Sequence, residues 1–152
     1  MKIISHRGNT IGPDPVTENT PNKIDFVLNL GYDIEIDVWY YDNNFYLGHD
    51  RPTILITESY LIDRSKFLWI HCKNVACVHH LNSFNLNYFY HDVDIVTLTS
   101  YKFIWSYPGI QEFYPNQICL DFSPNVDYGF YQNKLIFGLC VDYIETKASN
   151  ES

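Results

Sequence analysis

The residues equipped for chemistry gather where short apolar runs end. His6 and Arg7 close the run Lys2–Ser5, His49 and Asp50 follow Phe45–Leu47, His71 and Lys73 end the run that starts at Phe67, and His91 follows Asn87–Tyr90. Glu35 and Asp37 sit two apart within Asp33–Tyr41, alternating with Ile34, Ile36 and Val38. A strand turns successive side chains to opposite faces, so these two carboxylates share a side. Two acids on one face of an apolar strand are costly unless something positive meets them. A hard divalent cation, which prefers oxygen ligands, is the natural partner. In a parallel α/β barrel the C-terminal ends of the strands converge on the face that carries active sites, which is where these groups would meet.

Each residue also has a plainer reading. Glu35 and Asp37 alone fit the solvated face of an edge strand, His6 or His49 a satisfied structural histidine, and Arg7 a simple ion pair with Asp33 or Glu35. His79-His80 falls on a helix and reads as surface or packing. The ordered combination favours chemistry, because the plainer readings would all have to hold together.

The elements that must position these groups follow from spacing. Asn9 to Asn19 is rich in Gly, Pro, Asp and Asn and reads as a loop. Thr20-Pro21 is an N-cap with proline at the first helical position. Ile24, Val27, Leu28 and Leu30 then form a helical stripe that Gly31 stops. Asn43-Asn44 is a turn signal, which makes Phe45–Leu47 a hairpin partner of Asp33–Tyr41. Val75–Phe84 reads as a short helix. Asn87–Tyr90, Ile95–Leu98, Phe103–Trp105, Ile118–Phe122 and Leu135–Val141 are strand-like, with little helical pattern between them. Without the Phe45–Leu47 arm there are eight candidate core strands. The pattern predicts an α/β fold with its helices concentrated in the first half.

The chain has 152 residues, 46% of them hydrophobic and 18% charged, which suits one folded domain over residues 1–144 better than disorder. The polar stretch from Glu145 to Ser152 reads as a frayed tail. A net charge of −8 argues against binding to nucleic acid or anionic membrane, so an anionic substrate needs local cations or a metal to reverse that field. Cys72, Cys77, Cys119 and Cys140 form no C-x-x-C pair and read as buried free thiols of a reducing compartment, in preference to a disulfide or a zinc site. The start Met1-Lys2-Ile3-Ile4-Ser5-His6 turns polar too early for a signal sequence, and no apolar stretch approaches the roughly 20 residues that span a bilayer. The expected location is cytoplasmic, without stable membrane insertion. An aromatic share of 17% leaves room for an exposed apolar patch and a homodimer.

The order His6-Arg7-Gly8, Glu18-Asn19-Thr20-Pro21, Glu35-Ile36-Asp37-Val38 and Leu47-Gly48-His49-Asp50 resembles the glycerophosphodiester phosphodiesterase family, within the PLC-like phosphodiesterase superfamily. The likeness is concentrated in the first 50 residues and fades beyond residue 74. It implies a hydrolase of lipid metabolism on a TIM-type (β/α) barrel. Such barrels typically run to roughly 250 residues, so this one would be trimmed, with helices of the C-terminal half reduced to loops. The resemblance implies that His6 and His49 are the acid/base couple and that Arg7 and Glu18 hold the phosphate-binding and supporting positions. It further implies that Glu35 and Asp37 bind a divalent metal, magnesium or calcium, together with a further glutamate. The third strand departs from the pattern. Trp69-Ile70-His71-Cys72-Lys73 keeps the lysine, which fits a role at a phosphate oxygen, but places His71 where the family carries the glutamate. An imidazole there removes a negative charge and suits zinc, manganese or iron better than calcium.

Cleavage of a phosphodiester builds charge on the phosphoryl oxygens, which Arg7, Lys73 and a metal would stabilise. One histidine would deprotonate water or a neighbouring substrate hydroxyl, and the other would protonate the leaving alkoxide. The expected partner is a small phosphodiester. Two other readings stand beside this one. The first is a non-catalytic barrel that binds a phosphorylated or sugar ligand, with Trp39, Trp69 and Trp105 as stacking surfaces; the intact His6/His49 pair counts against it. The second is an accessory protein that keeps the motifs for fold stability; the expense of unused charged groups at strand ends counts against that.

Overall fold

The computed structural model describes residues 1–144, so the expected polar tail lies outside the described residues. Strand β1 (Lys2–His6) runs into the Asn9–Asn19 loop, which leads to helix α1 (Pro21–Asn29). The Thr20 side chain accepts a hydrogen bond from the Lys23 N–H and Pro21 opens the first turn, as the sequence predicts. Ile24 and Val27 are buried but Leu30 is 47% exposed, so the stripe on this helix is narrower than its apolar spacing suggests. Gly31, at φ +86°, ends the helix.

Strand β2 (Asp33–Tyr41) turns through Asp42 and Asn43, at φ +47° and +60°, into β3 (Asn44–Leu47). Two left-handed residues are what a tight hairpin turn of matching twist requires. β4 (Ile54–Ile56) and α2 (Glu58–Asp63) follow, then β5 (Leu68–Cys72), α3 (Val75–Leu81), β6 (Tyr88–Phe89), β7 (Val96–Leu98), β8 (Ile104–Ser106), β9 (Gln117–Asp121), α4 (Tyr128–Gln132) and β10 (Gly138–Val141). The sequence does not announce β4, α2 or α4, because pieces of three, six and five residues are too short to show a period.

The fold is mixed α/β, with few helices around one ten-stranded sheet. Seven strands run parallel in the order β6-β5-β2-β1-β10-β9-β8. The β3–β4 hairpin adds antiparallel strands to the far end of β2, and β7 lies antiparallel to β8. Ile95–Leu98 is therefore not a core strand as its apolar run suggests. Val96 and Leu98 face outward, 42% and 55% exposed.

Trp69 on β5 and Trp105 on β8 stand five strands apart in pairing order, about 24 Å across a flat sheet at roughly 4.8 Å per strand. Their ring centroids are 5.9 Å apart, and Phe89 of β6 is 4.5 Å from Trp105. The sheet thus curls until its flanks meet, enclosing Ile4, Trp69, Phe89, Trp105, Ile118, Leu120 and Cys140. Trp69 and Trp105 are 4% and 1% exposed, so they are core residues and not the ligand-stacking surfaces of the non-catalytic reading. Trp39 donates its indole N–H to the Gly48 carbonyl at 2.7 Å. A second cluster, built on Ile24, Val27, Ile34, Ile36 and Ile70, packs α1 and α3 against the outer face. All four cysteines are buried free thiols. His80 stacks on Tyr40, a packing role as expected. Among the described residues no helix is long and apolar enough to cross a membrane.

Candidate active site

β1 delivers His6 to the edge of the enclosed core, and the chain then reverses at Arg7 (φ +56°) and Gly8 (φ +93°). A left-handed arginine is uncommon and costs about 1–2 kcal/mol. The surrounding bonds hold it there. The Arg7 N–H donates to the Glu35 carbonyl at 3.0 Å, and the Arg7 carbonyl accepts from the Asn19 N–H at 3.0 Å. Asn19, itself at φ +54°, aims its carboxamide at Asp37. Strained conformations of this kind cluster at functional sites.

Pairing of β2 with β1 sets His6 beside Glu35, and pairing with β5 sets Asp37 beside His71. Both carboxylates are buried, which rules out a solvated edge face. Asp37 is the hub. Its Oδ2 accepts from Asn19 Nδ2 at 2.9 Å and lies 3.2 Å from His49 Nδ1 and 3.3 Å from Arg7 Nε. Its Oδ1 lies 3.1 Å from His71 Nδ1 and 3.6 Å from Lys73 Nζ, yet it is buried without a well-formed hydrogen bond. Glu35 sits between the two outer histidines, 3.9 Å from His6 Nε2 and 3.8 Å from His71 Nδ1. Glu18 is 3.5 Å from Arg7 Nη1. Arg7 therefore pairs with Glu18 and Asp37. Asp33 lies at the opposite end of β2, where it takes Lys2 at 3.1 Å and the Trp69 indole at 2.9 Å.

The two candidate acid/base histidines are held alike. His49 Nε2 lies 3.3 Å from Arg7 Nη2, and since a guanidinium only donates, that nitrogen accepts and Nδ1–H faces Asp37. His6 Nδ1 is 2.8 Å from Asp142, immediately beyond β10. Burial opposes charging of His6, but the Asp142 hydrogen bond and the Glu35 charge outweigh it and raise its pKa above the ordinary value. Burial and the neighbouring Asp37 raise Glu35. Burial would raise Asp37 too, but the His49 and His71 imidazoles against its oxygens and the Arg7 charge hold it well below the carboxylate range.

Glu35, Asp37 and His71 each offer a ligand atom, all within 4.8 Å of one another. Asp37 Oδ1 is buried with no well-formed hydrogen bond, although His71 and Lys73 lie beside it, so the residues fit a divalent ion. A donor set of two carboxylates and one imidazole suits manganese or zinc as well as magnesium.

All eight residues singled out by motif thus form one contact network: His6, Arg7, Glu18, Glu35, Asp37, His49, His71 and Lys73. Sequence reasoning missed Asp142, Asn9, Asn19 and Tyr107. Asp142 ends the apolar run Gly138–Val141 and carries the same strand-end signal as His6, so it was within reach. Asn9 looks like an ordinary loop residue, and Asn19, although inside the motif Glu18-Asn19-Thr20-Pro21, has no role assigned by the resemblance. Tyr107 hydrogen-bonds His91, whose ring stacks on His71 with centroids 4.4 Å apart.

Burial and the nearby His71 push His91 down to about 4. Its unfolded value is roughly 6.5, so between these limits the unfolded chain binds more protons and stability falls as pH drops. His6, with its raised pKa, works in the opposite sense and loses its contribution as pH rises. Urea titrations of the metal-free protein at several pH values should show a shallower acid decline in His91→Gln than in wild type. Identical slopes would contradict a half-buried, neutral His91.

A cavity of about 350 Å³ opens beside Arg7 and His49, walled by Glu18, Thr20, Leu47 and Ile54. Its shape depends on Gly48, at φ +149°, where a Cβ would come within 2.1 Å of the Arg51 carbonyl oxygen. Gly48→Ala should cost about 1–3 kcal/mol in denaturant titration and displace His49. A variant of wild-type stability would show that the loop adapts freely. No family model, no curated protein and no solved structure matches the chain.

Proposed function

We propose that this protein is a metal-dependent phosphodiester hydrolase, acting on a glycerophosphodiester-like or related diester by His6/His49 acid–base catalysis. We further propose that its curled sheet is a trimmed TIM-type barrel, with the site at the C-terminal ends of its strands. The observation that carries this reading is the arrangement of two imidazoles, each with Nδ1 on a buried carboxylate (Asp142 or Asp37), around the cations Arg7 and Lys73 and the Glu35–Asp37–His71 set.

A divalent ion held by Glu35, Asp37 and His71 would polarise a phosphoryl oxygen. Arg7 and Lys73 bind the remaining phosphoryl oxygens and stabilise the charge that builds on them. With Nδ1 anchored on a carboxylate, each histidine turns Nε2 to proton transfer, His49 once substrate draws Arg7 Nη2 away from that nitrogen. One, neutral at Nε2, takes the proton from water or from a neighbouring substrate hydroxyl, and the other, entering as imidazolium, gives its Nε2 proton to the leaving alkoxide. The cavity beside Arg7 and His49 receives the substituent on the His49 side.

Turnover of bis(p-nitrophenyl) phosphate by chelator-treated protein, assayed with added manganese, zinc, magnesium or calcium, tests the proposal. A rate that returns only with a divalent ion supports it, and His71→Glu should then shift the preference towards magnesium or calcium. Equal rates with and without metal would contradict it.

A further inference from the structure

We propose that Asn9 is a positioning residue that ties the two imidazoles of the site to each other. Only its effect on rate rests on the phosphodiesterase reading. Asn9 is almost wholly buried and follows the left-handed Arg7-Gly8 turn. Its backbone is fixed at both ends, the N–H donating to the His6 carbonyl at 2.9 Å and the carbonyl accepting from Ser5 Oγ at 2.8 Å. Its Nδ2 donates to Asp142 Oδ1 at 2.8 Å and to Glu18 Oε1 at 2.9 Å, while its Oδ1 accepts from the Asp14 N–H at 3.2 Å. Both donors and the acceptor are used. Only an NH₂ group can face two carboxylates, so the carboxamide has one orientation.

From Asn9 the bonds run two ways. Asp142 leads to His6 Nδ1 at 2.8 Å. Glu18 leads to Arg7 Nη1 at 3.5 Å, and Arg7 Nη2 reaches His49 Nε2 at 3.3 Å. His6, Asp142, Asn9, Glu18, Arg7 and His49 thus form one chain with Asn9 as its neutral centre. Among the described residues no other donor bridges Glu18 and Asp142. Without Asn9 these two largely buried carboxylates each lose a donor, and each becomes free to rotate away from the group it holds. A fully satisfied buried network fixes geometry in a way that its separate pairs do not. Loss of such an outer support typically costs 10–100-fold. Asn9→Ala should therefore lower kcat by about 10–100-fold with little change in KM.

Long-range proton–nitrogen spectra of the histidine rings, recorded on the full chain, test this without relying on activity. Wild type should show His6 and His49 both with the proton on Nδ1. Asn9→Ala should change the tautomer populations of both rings, including His49, which is three links away. Glu18→Gln, nearly the same shape, should disturb His49 and leave His6 unchanged. A folded Asn9→Ala protein with His49 signals like wild type would overturn the proposal. Should Asn9→Ala fail to fold, an undisturbed His49 in Glu18→Gln would overturn it equally. Coupled ring signals in a protein without diesterase activity would support the role of Asn9 and sink the phosphodiesterase reading alone.

Discussion

Replacing Asp37 with alanine should abolish divalent-ion binding and destabilise the metal-free protein by about 3–5 kcal/mol, the usual penalty for stripping one partner from a buried ionic cluster. Asp37 is fully buried and answers Arg7, His49, His71 and Lys73 at once. Its removal leaves Lys73 without its carboxylate partner and Arg7 with Glu18 alone, while Glu35 beside them is itself pushed towards its neutral form by burial. Asn19 also loses the oxygen that its Nδ2 donates to. Asp37→Asn keeps the volume and much of the hydrogen bonding, so it should be the milder variant in urea titration while still binding no metal in calorimetry. Stoichiometric metal binding by either variant would place the ion elsewhere.

His49→Ala should have the opposite profile, with a rate lower by roughly 10²–10⁴ and little change in stability or metal affinity. The His49 side chain is 37% exposed and sits on the hairpin loop after β3, so its truncation opens no cavity in the core. Its Nδ1 faces Asp37 Oδ2, whereas the oxygen without a well-formed hydrogen bond, on the side of His71, is Oδ1. A metal-dependent rate that His49→Ala leaves unchanged would keep the enzyme and overturn the mechanism. Loss of metal binding in the same variant would make His49 a ligand.

Much of the site was legible because its chemistry lies at the ends of apolar runs. Glu35 and Asp37 alternate with Ile34, Ile36 and Val38, so their shared face follows from the pleat alone. His71 and Lys73 end β5 in the same way. Asn9, which bridges two carboxylates, was not legible: in a loop of Gly, Pro, Asp and Asn a structural carboxamide looks like a turn residue. Trp69 and Trp105 were open to a ligand-stacking role because composition does not say which side of a strand faces inward. Curling of the sheet decides that, and curling depends on pairings between residues more than 30 positions apart, such as Ile36 with Ile70. Val96 and Leu98 mislead for the same reason, since an apolar run on an outward-facing antiparallel strand reads like a core strand.

Phosphorus NMR of glycerophosphocholine incubated with the manganese-loaded protein tests the central claim most directly. The account predicts that the diester resonance declines and that a phosphate monoester or cyclic ester appears, with no such change after chelation or in His49→Ala. A diester resonance that persists unchanged for this and other small diesters, under every divalent ion that the protein binds, would contradict it.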